Sequence, residues 1–251
     1  MRTYRLAGHD VPRVGLGTNR LTTAREHVQF IREAVAAGVR HIDTAHLYTG
    51  GDSERAIGEA LAGAGEDVLV ATKGGFRPGE GRPEVLAAQI EQSLRSLRTD
   101  AIGLYYLHRV DPQTPLEESL GALAEHLERG TIRHVGISEV TTEQIDRARE
   151  VVPVTAVQNR YSVGDREHDD VVSYCEREGI AFVPYYPLKG GGGPEVAAAA
   201  KRLGVTEHAV KLAWLLRRSP VVLPIPGTLS IEHLRENLAA LDLDLGDVDL
   251  G

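Results

Sequence analysis

Residues 133–159, RHVGISEVTTEQIDRAREVVPVTAVQN, read as strand, helix, strand. Arg133–Ser138 and Thr155–Asn159 are short runs of apolar and β-branched residues, as strands covered on both faces are. Between them Glu143–Arg149 has a helical pattern, with Thr142 in the N-cap position before it. Two buried strands joined by a crossover helix form the repeating unit of a parallel sheet.

The same alternation extends in both directions. Upstream lie the strand-like runs Arg13–Thr18, His41–Ala45, Val68–Thr72 and Ile102–His108, and downstream Ala181–Tyr186 and Val221–Pro226. Helical patterns fall between them at Arg25–Ala37, Pro83–Leu97, Leu116–Leu127, His168–Arg177 and Ile231–Leu241. In the first, Val28, Ile31 and Val35 recur at spacings of three and four. Gly38, Gly130 and Gly179 follow helices where a left-handed residue costs glycine least, and Ser230 is placed to cap the last one. Eight strand–helix alternations predict a (β/α)8 TIM barrel, one domain over residues 1–251, with its site at the C-terminal ends of the strands. A doubly wound open sheet is the competitor, and the missing GxGxxG fingerprint argues against it. The glycine-bearing stretches Pro78–Gly81 and Gly190–Gly193 are too short to be domain linkers. The acidic end, Asp242–Gly251, is expected to be a short tail.

Among the 251 residues, Lys plus Arg is 28 and Asp plus Glu is 36, a net charge of −8. That balance carries no electrostatic footprint for nucleic acid or an anionic membrane. Apolar residues make up 42%, enough for a sizeable core, and no run approaches the roughly 18 apolar residues of a membrane span. MRTYRLAGHD lacks the apolar stretch of a secretory signal. A single cysteine, Cys175, neither forms an internal disulfide nor builds a metal site by itself, and reads as packing. The expectation is a soluble cytoplasmic protein with no metal.

In a barrel of this kind the chemistry sits where strands end. The second run ends in Asp43, with Tyr48 five residues on; the third is followed by Lys73, and the fourth ends in His108. Singly, each has an ordinary structural reading: a cap, a loop tyrosine, a paired lysine, a core histidine. Together they place a carboxylate, a phenol, an ammonium and an imidazole on one rim. A free phenol, with a pKa near ~10, is a poor acid at neutral pH, and a nearby ammonium is expected to lower that pKa. A carboxylate keeps the lysine charged, and an imidazole can donate a hydrogen bond to developing negative charge. These groups suit proton donation to a polarised carbonyl. They lack a nucleophile–base pair and a second carboxylate for glycoside chemistry, so an electron source must come from a cofactor.

The chain resembles the aldo-keto reductase superfamily over nearly its whole length. The resemblance is carried by GLGTNR at 15–20, IDTAHLYTGGDSERAIGEAL at 42–61, ATKGG at 71–75, LYYLHRVDP at 104–112, IRHVGISEV at 132–140, VQNRYS at 157–162, PYYPLKGG at 184–191 and IPGTLSIEHLREN at 225–237. It implies that Asp43, Tyr48, Lys73 and His108 form a catalytic tetrad, with Tyr48 the general acid and hydride coming from NADPH. It also implies a cofactor set. Gly17, Thr18 and Asn19 would lie near the nicotinamide, with Asp43 belonging to both sets. Tyr185 would stack on the ring beside Tyr186, and Ser138 and Gln158 would hold the carboxamide. The pyrophosphate would cross Leu188–Gly191, Gly190 included. Pro226, Gly227, Thr228, Ser230, Arg235, Glu236 and Asn237 would take the adenosine and 2′-phosphate end.

Two departures stand out. Glu139 occupies the position of the asparagine that follows the serine in many members, which leaves Asn159 as another source of an amide. Gly227 and His233 stand where strongly NADPH-preferring members carry Lys and Arg, so NADPH is favoured and NADH remains possible. The partner is a small carbonyl compound, the resemblance implies a monomer, and the short loops 109–115 and 190–194 imply an open pocket. Two other readings stay open: a nicotinamide-nucleotide sensor or accessory protein, and a Schiff-base lyase using Lys73.

Overall fold

The computed structural model describes residues 2–63, 67–190, 192–248 and 250. It begins with a feature absent from the strand–helix alternation, an antiparallel hairpin of β1 (Thr3–Leu6) and β2 (His9–Pro12). Ala7 and Gly8 turn the chain, both with positive φ, 47° and 80°, as two-residue hairpin turns require. Leu6, Ala7 and Val11 pack into one apolar cluster with Leu69, Leu104 and Ala181. Those three stand at the amino ends of three strands of the main sheet, so the hairpin plugs the barrel at that end.

The alternation follows. In chain order it runs β3 (Leu16–Gly17), α1 (Arg25–Ala36), β4 (His41–Asp43), α2 (Asp52–Ala60), β5 (Leu69–Gly74), α3 (Pro83–Leu97), β6 (Leu104–Leu107) and α4 (Leu116–Glu128). It continues with β7 (Val135–Ser138), α5 (Thr142–Arg149), β8 (Val154–Gln158), α6 (Asp169–Glu178), β9 (Ala181–Phe182), α7 (Gly193–Leu203), α8 (Glu207–Arg218) and α9 (Ile231–Ala239). Strands β3 to β9 form a parallel sheet in sequence order. Its register sets Asp43 beside Gly17 and Ala71, Lys73 beside Tyr106, and Ser138 beside Gln158.

The expected eighth strand closes this sheet into the (β/α)8 barrel without forming a regular ladder. Val222 bridges Phe182 on one side, and Gly227 bridges Gly17 on the other. Leu223 N donates to Phe182 O at 2.8 Å, Gly15 N to Pro224 O at 3.0 Å and Gly17 N to Pro226 O at 3.2 Å. Pro220, Pro224 and Pro226 interrupt the segment, and proline has no N–H to give to a ladder. Gly17 is needed at this junction because a Cβ there would lie 2.7 Å from Ile225 O.

Helix ends follow local chemistry. Gly38, Gly130 and Gly179 all have positive φ, 107°, 73° and 68°. The cap of α5 is Thr141, one residue before the expected Thr142. Its hydroxyl accepts from Gln144 N at 3.3 Å while Gln144 Oε1 accepts from Thr141 N at 3.0 Å, a reciprocal box. Helices α2, α7 and α8 were not among the expected helices; α2 and α7 bury few large apolar side chains, whereas α8 buries Val210, Leu212, Trp214 and Leu215. Ser53 and Glu54 are buried in α2, Ala199 and Ala200 in α7, and Lys211 in α8. The acidic end is no loose tail: Leu245, Val248 and Leu250 are buried in the main core, while residues 249 and 251 lie outside the described set. Arg217 donates to Val248 O at 2.6 Å, and Arg218 grips Asp169 through two 2.8 Å bonds. This arginine pair therefore ties the C-terminal segment and α6 to α8. No helix among the described residues is long and apolar enough to cross a membrane.

Candidate active site

The carboxyl ends of β4, β5 and β6 bring Asp43, Lys73 and His108 together, and the 3-10 turn Tyr48–Gly51 adds Tyr48. Lys73 has no exposed side chain. Its Nζ donates to Asp43 Oδ1 at 2.5 Å and to Thr44 O at 2.7 Å. The other Asp43 oxygen accepts from Gln158 Nε2 at 2.8 Å. A buried ion pair survives when its remaining protons and lone pairs are satisfied in this way. Lys73 Nζ stands 5.2 Å from the centroid of the Tyr48 ring.

Tyr48 and His108 are shifted in opposite directions. Burial pushes the Tyr48 phenol up and outweighs the downward pull of Lys73, which corrects the expectation of a lowered pKa: desolvation penalises the phenolate more than one already-paired ammonium relieves it. The phenol is therefore a neutral donor. His108 is pushed down to about 2, first by burial and then by Lys73 and Arg109, so its imidazole is neutral. Its Nδ1 is buried without a partner, and its ring packs 4.8 Å from Phe76 and 6.1 Å from Tyr48.

A cavity of about 510 Å³ opens beside these groups. Gly17, Thr18, Asn19, Asp43, Tyr48, His108, Ser138, Gln158, Tyr185, Tyr186, Leu188, Pro226 and Gly227 all line it, whereas Lys73 lies behind its wall. Ser138 Oγ donates to Gln158 O at 2.7 Å and accepts from Arg109. Tyr185 is half-buried, its phenol pushed up to about 12 by burial and then by Glu139. Tyr186 has φ +51° and is 51% exposed, with its ring 5.1 Å from that of Tyr185.

The position after Ser138 resolves differently from one expectation. Glu139 takes a left-handed conformation, φ +56°, and its carboxylate accepts from Arg160 N at 2.7 Å. Asn159 does not offer its amide to the cavity: it donates to Val140 O at 2.7 Å and accepts from Val140 N at 3.1 Å. Fixing that turn is its role.

Other members of the anticipated set stand outside the cavity lining. Gly190 O accepts from the buried Lys211 Nζ at 2.9 Å; residue 191 lies outside the described residues. Thr228 Oγ1 accepts from Ser230 N at 3.0 Å, and Ser230 Oγ caps α9 by accepting from His233 N at 3.3 Å. Arg235 and Glu236 are exposed on α9, and Asn237 is buried. The sequence reading missed Arg20, Leu47, Phe76 and Arg109, all of which line the cavity. For Arg109 a signal existed: it directly follows the strand-end His108.

The Aldo/keto reductase family model matches residues 13–195 and 192–250. The chain is 36% identical to pyridoxine 4-dehydrogenase of Escherichia coli, over 98% of this chain and 94% of the relative. It is 35% identical to an uncharacterized oxidoreductase of Schizosaccharomyces pombe, over 97% and 86%. A thermostable aldo-keto reductase crystallised with the inhibitor epalrestat superposes at TM-score 0.90, with 31% identity and coverage of 98% and 96%. An aldo-keto reductase of Klebsiella pneumoniae in complex with NADPH superposes at 0.87, with 29% identity and coverage of 98% and 91%.

Proposed function

The chain belongs to the aldo/keto reductase family and is an oxidoreductase acting on carbonyls; we propose that it reduces an aldehyde or ketone to the alcohol with a nicotinamide cofactor, NADPH in preference to NADH. The observation that carries this reading is the Tyr48 phenol beside the buried Lys73–Asp43 pair, with a neutral His108 on the same cavity.

The residues present fit such a cofactor. Gly17 and Gly227 let a ligand approach the backbone, and Tyr185 supplies a half-buried aromatic face. Arg20 and Lys189, both exposed on the cavity wall, supply charge for phosphates. Thr228, just before α9, and Arg235, exposed at its middle, are the candidates for a 2′-phosphate. A relative crystallised with NADPH supports that nucleotide as the cofactor.

When bound, the cofactor supplies the hydride that adds to the carbonyl carbon. A neutral His108 N–H orients the carbonyl oxygen and steadies the charge that grows on it. Tyr48 then gives its hydroxyl proton to that oxygen, which completes the alcohol and leaves a phenolate. Lys73 stabilises the phenolate, and Asp43, anchored by Gln158, fixes Lys73. His108 is not the acid, because a group with its pKa held near 2 carries no spare proton at neutral pH. A Schiff-base role for Lys73 is disfavoured, since its ammonium is buried and already donates to Asp43 and Thr44.

Fluorescence titration of the purified protein with each nucleotide tests the reading. The expected result is saturable binding of both, with NADPH at least about tenfold tighter, the scale of one well-made ionic contact. Binding of neither overturns it.

A further inference from the structure

Arg109 is the cation in the cavity that the reduction reading leaves without a task. It follows His108 at the end of β6 and is half-buried. Nη1 donates to His108 O at 2.6 Å and to Ser138 Oγ at 3.2 Å, and Nη2 reaches the Tyr185 hydroxyl at 3.5 Å. Its Cζ lies over two aromatic rings, 5.4 Å from the centroid of Phe76 and 5.7 Å from that of Tyr185. Stacking of this kind holds a guanidinium in one plane and leaves its edge to make hydrogen bonds. Guanidinium has five N–H donors, and the contacts above leave part of that fork open.

No carboxylate among the described residues lies within ion-pair distance of Arg109. Asp43 is the acidic residue on the cavity lining, and Lys73 already pairs with it. Glu139, whose charge helps push the Tyr185 phenol up, is held by Arg160 N. Arg20 and Lys189 complete the lining charges, and both are exposed where Arg109 is not. The cavity is therefore positive in a protein whose net charge is −8. Arg109 is the part of that charge nearest the chemistry, close enough to act on both His108 and Tyr48.

Phe76 completes the arrangement. It is 40% exposed, one of the few large apolar side chains so placed, and it touches both His108 and Arg109. Its loop is built to hold position: Glu80 accepts from Phe76 N and Arg77 N at 3.1 and 3.0 Å. Asp111 accepts from Gly79 N and Gly81 N, both at 2.9 Å. An exposed ring on an anchored loop, beside a guanidinium lacking a counter-ion, is a surface for a flat, negatively charged molecule.

We propose that Arg109 is a specificity-determining residue that binds a carboxylate on the substrate, and that the preferred substrates are planar carbonyl compounds bearing a carboxylate, with Phe76 covering the flat part. This rests on the carbonyl-reduction reading and names its substrate class. A carboxylate matches the guanidinium edge in geometry as well as in sign.

The test compares carboxybenzaldehydes with their carbamoyl analogues, which have nearly the same shape without the charge, in the wild type, Arg109→Gln and Arg109→Lys. The wild type is expected to show a kcat/KM for the carboxylate higher by about 10- to 100-fold, the range of a hydrogen bond to a charged group. Arg109→Gln should erase that preference, and Arg109→Lys should keep part of it. Equal rates for the two aldehydes in the wild type overturn the proposal. So does an Arg109→Gln variant in which both rates fall by one factor, which would make Arg109 a positioning residue for His108 and Ser138. Calorimetry with benzoate and benzamide, with and without NADPH, needs no turnover. If no aldehyde is reduced yet benzoate binds better than benzamide, and Arg109→Gln removes the difference, the reductase reading fails and the Arg109 site stands. Equal binding of the two ligands removes the site. Should the glutamine variant not fold, the wild-type comparison of charged and uncharged ligands decides alone.

Discussion

The catalytic wall of the cavity and the start of α9 beyond its lining are held in opposite ways. At the strand-end wall, Lys73, Asp43 and Gln158 are buried and bonded to one another, so their geometry is set before any ligand arrives. Beyond the lining, Thr228 and Ser230 use their hydroxyls to shape a turn and cap α9, and Arg235 and Glu236 project from the helix surface. Residues of the first kind are costly to disturb because they shield charges from water. Residues of the second kind belong to the folding of a helix end, and contact with a ligand is an additional task.

This contrast can be broken or sharpened by experiment. Tyr48→Phe removes the proton donor and should lower kcat by about 10²- to 10⁴-fold, the usual contribution of general acid catalysis. NADPH affinity by fluorescence should change little. A variant with near wild-type turnover would mean that the ordered wall does not carry the chemistry. Next in size, Lys73→Met leaves Asp43 buried without its cation and should destabilise the fold by about 3–5 kcal/mol in urea denaturation. A loss below about 1 kcal/mol would show that the wall tolerates an unpaired charge and is less closed than described.

The third expectation concerns acid. Burial pushes His41 down to about 4 and His108 to about 2, and both ring nitrogens of His41 are buried without partners. In the unfolded chain these groups titrate near 6.5. Between each folded value and 6.5 the unfolded state binds the extra proton, so stability falls as pH falls. It should be intact above about 6.5 and decline toward 4, with His108 extending the decline to about 2. Urea midpoints at pH 7 and pH 5 measure this, and His41→Gln should flatten the slope; an unchanged slope would place the acid sensitivity elsewhere. Smallest is Ser230→Ala, which removes an N-cap and should cost about 1 kcal/mol. If it instead weakened NADPH binding a hundredfold with no loss of stability, the start of α9 would be as specialised as the wall.

The same contrast explains what could be read in the sequence. Asp43, Lys73 and His108 were legible as a set, because polar residues closing three successive buried strands point to one rim although each alone has an ordinary reading. Arg109 had only its place after His108 as a signal, and an arginine starting a loop reads as solvated until Ser138 and Tyr185 are seen beside it. The β1–β2 hairpin was invisible because a strand–helix reading has no place for two strands in succession. Helix α2 hid behind Glu54, whose Oε1 accepts from Thr72 at 2.6 Å in the interior and breaks an apolar stripe. Tyr48 was located correctly and its pKa misjudged, because the depth of burial that outweighs Lys73 is a property of packing.

The proline-interrupted segment at 221–227 has a consequence for how the barrel breathes. Gly17 and Thr18 on one bank of this seam, and Ile225, Pro226 and Gly227 on the other, all face the cavity. A molecule lying there touches both banks and works as a splint across the weakest join in the wall. In the free protein the amide protons of Gly15, Gly17 and Leu223 should therefore be among the earliest in the sheet to exchange with solvent. Loading the cavity should slow them together, at positions where the ligand need not touch the amides at all.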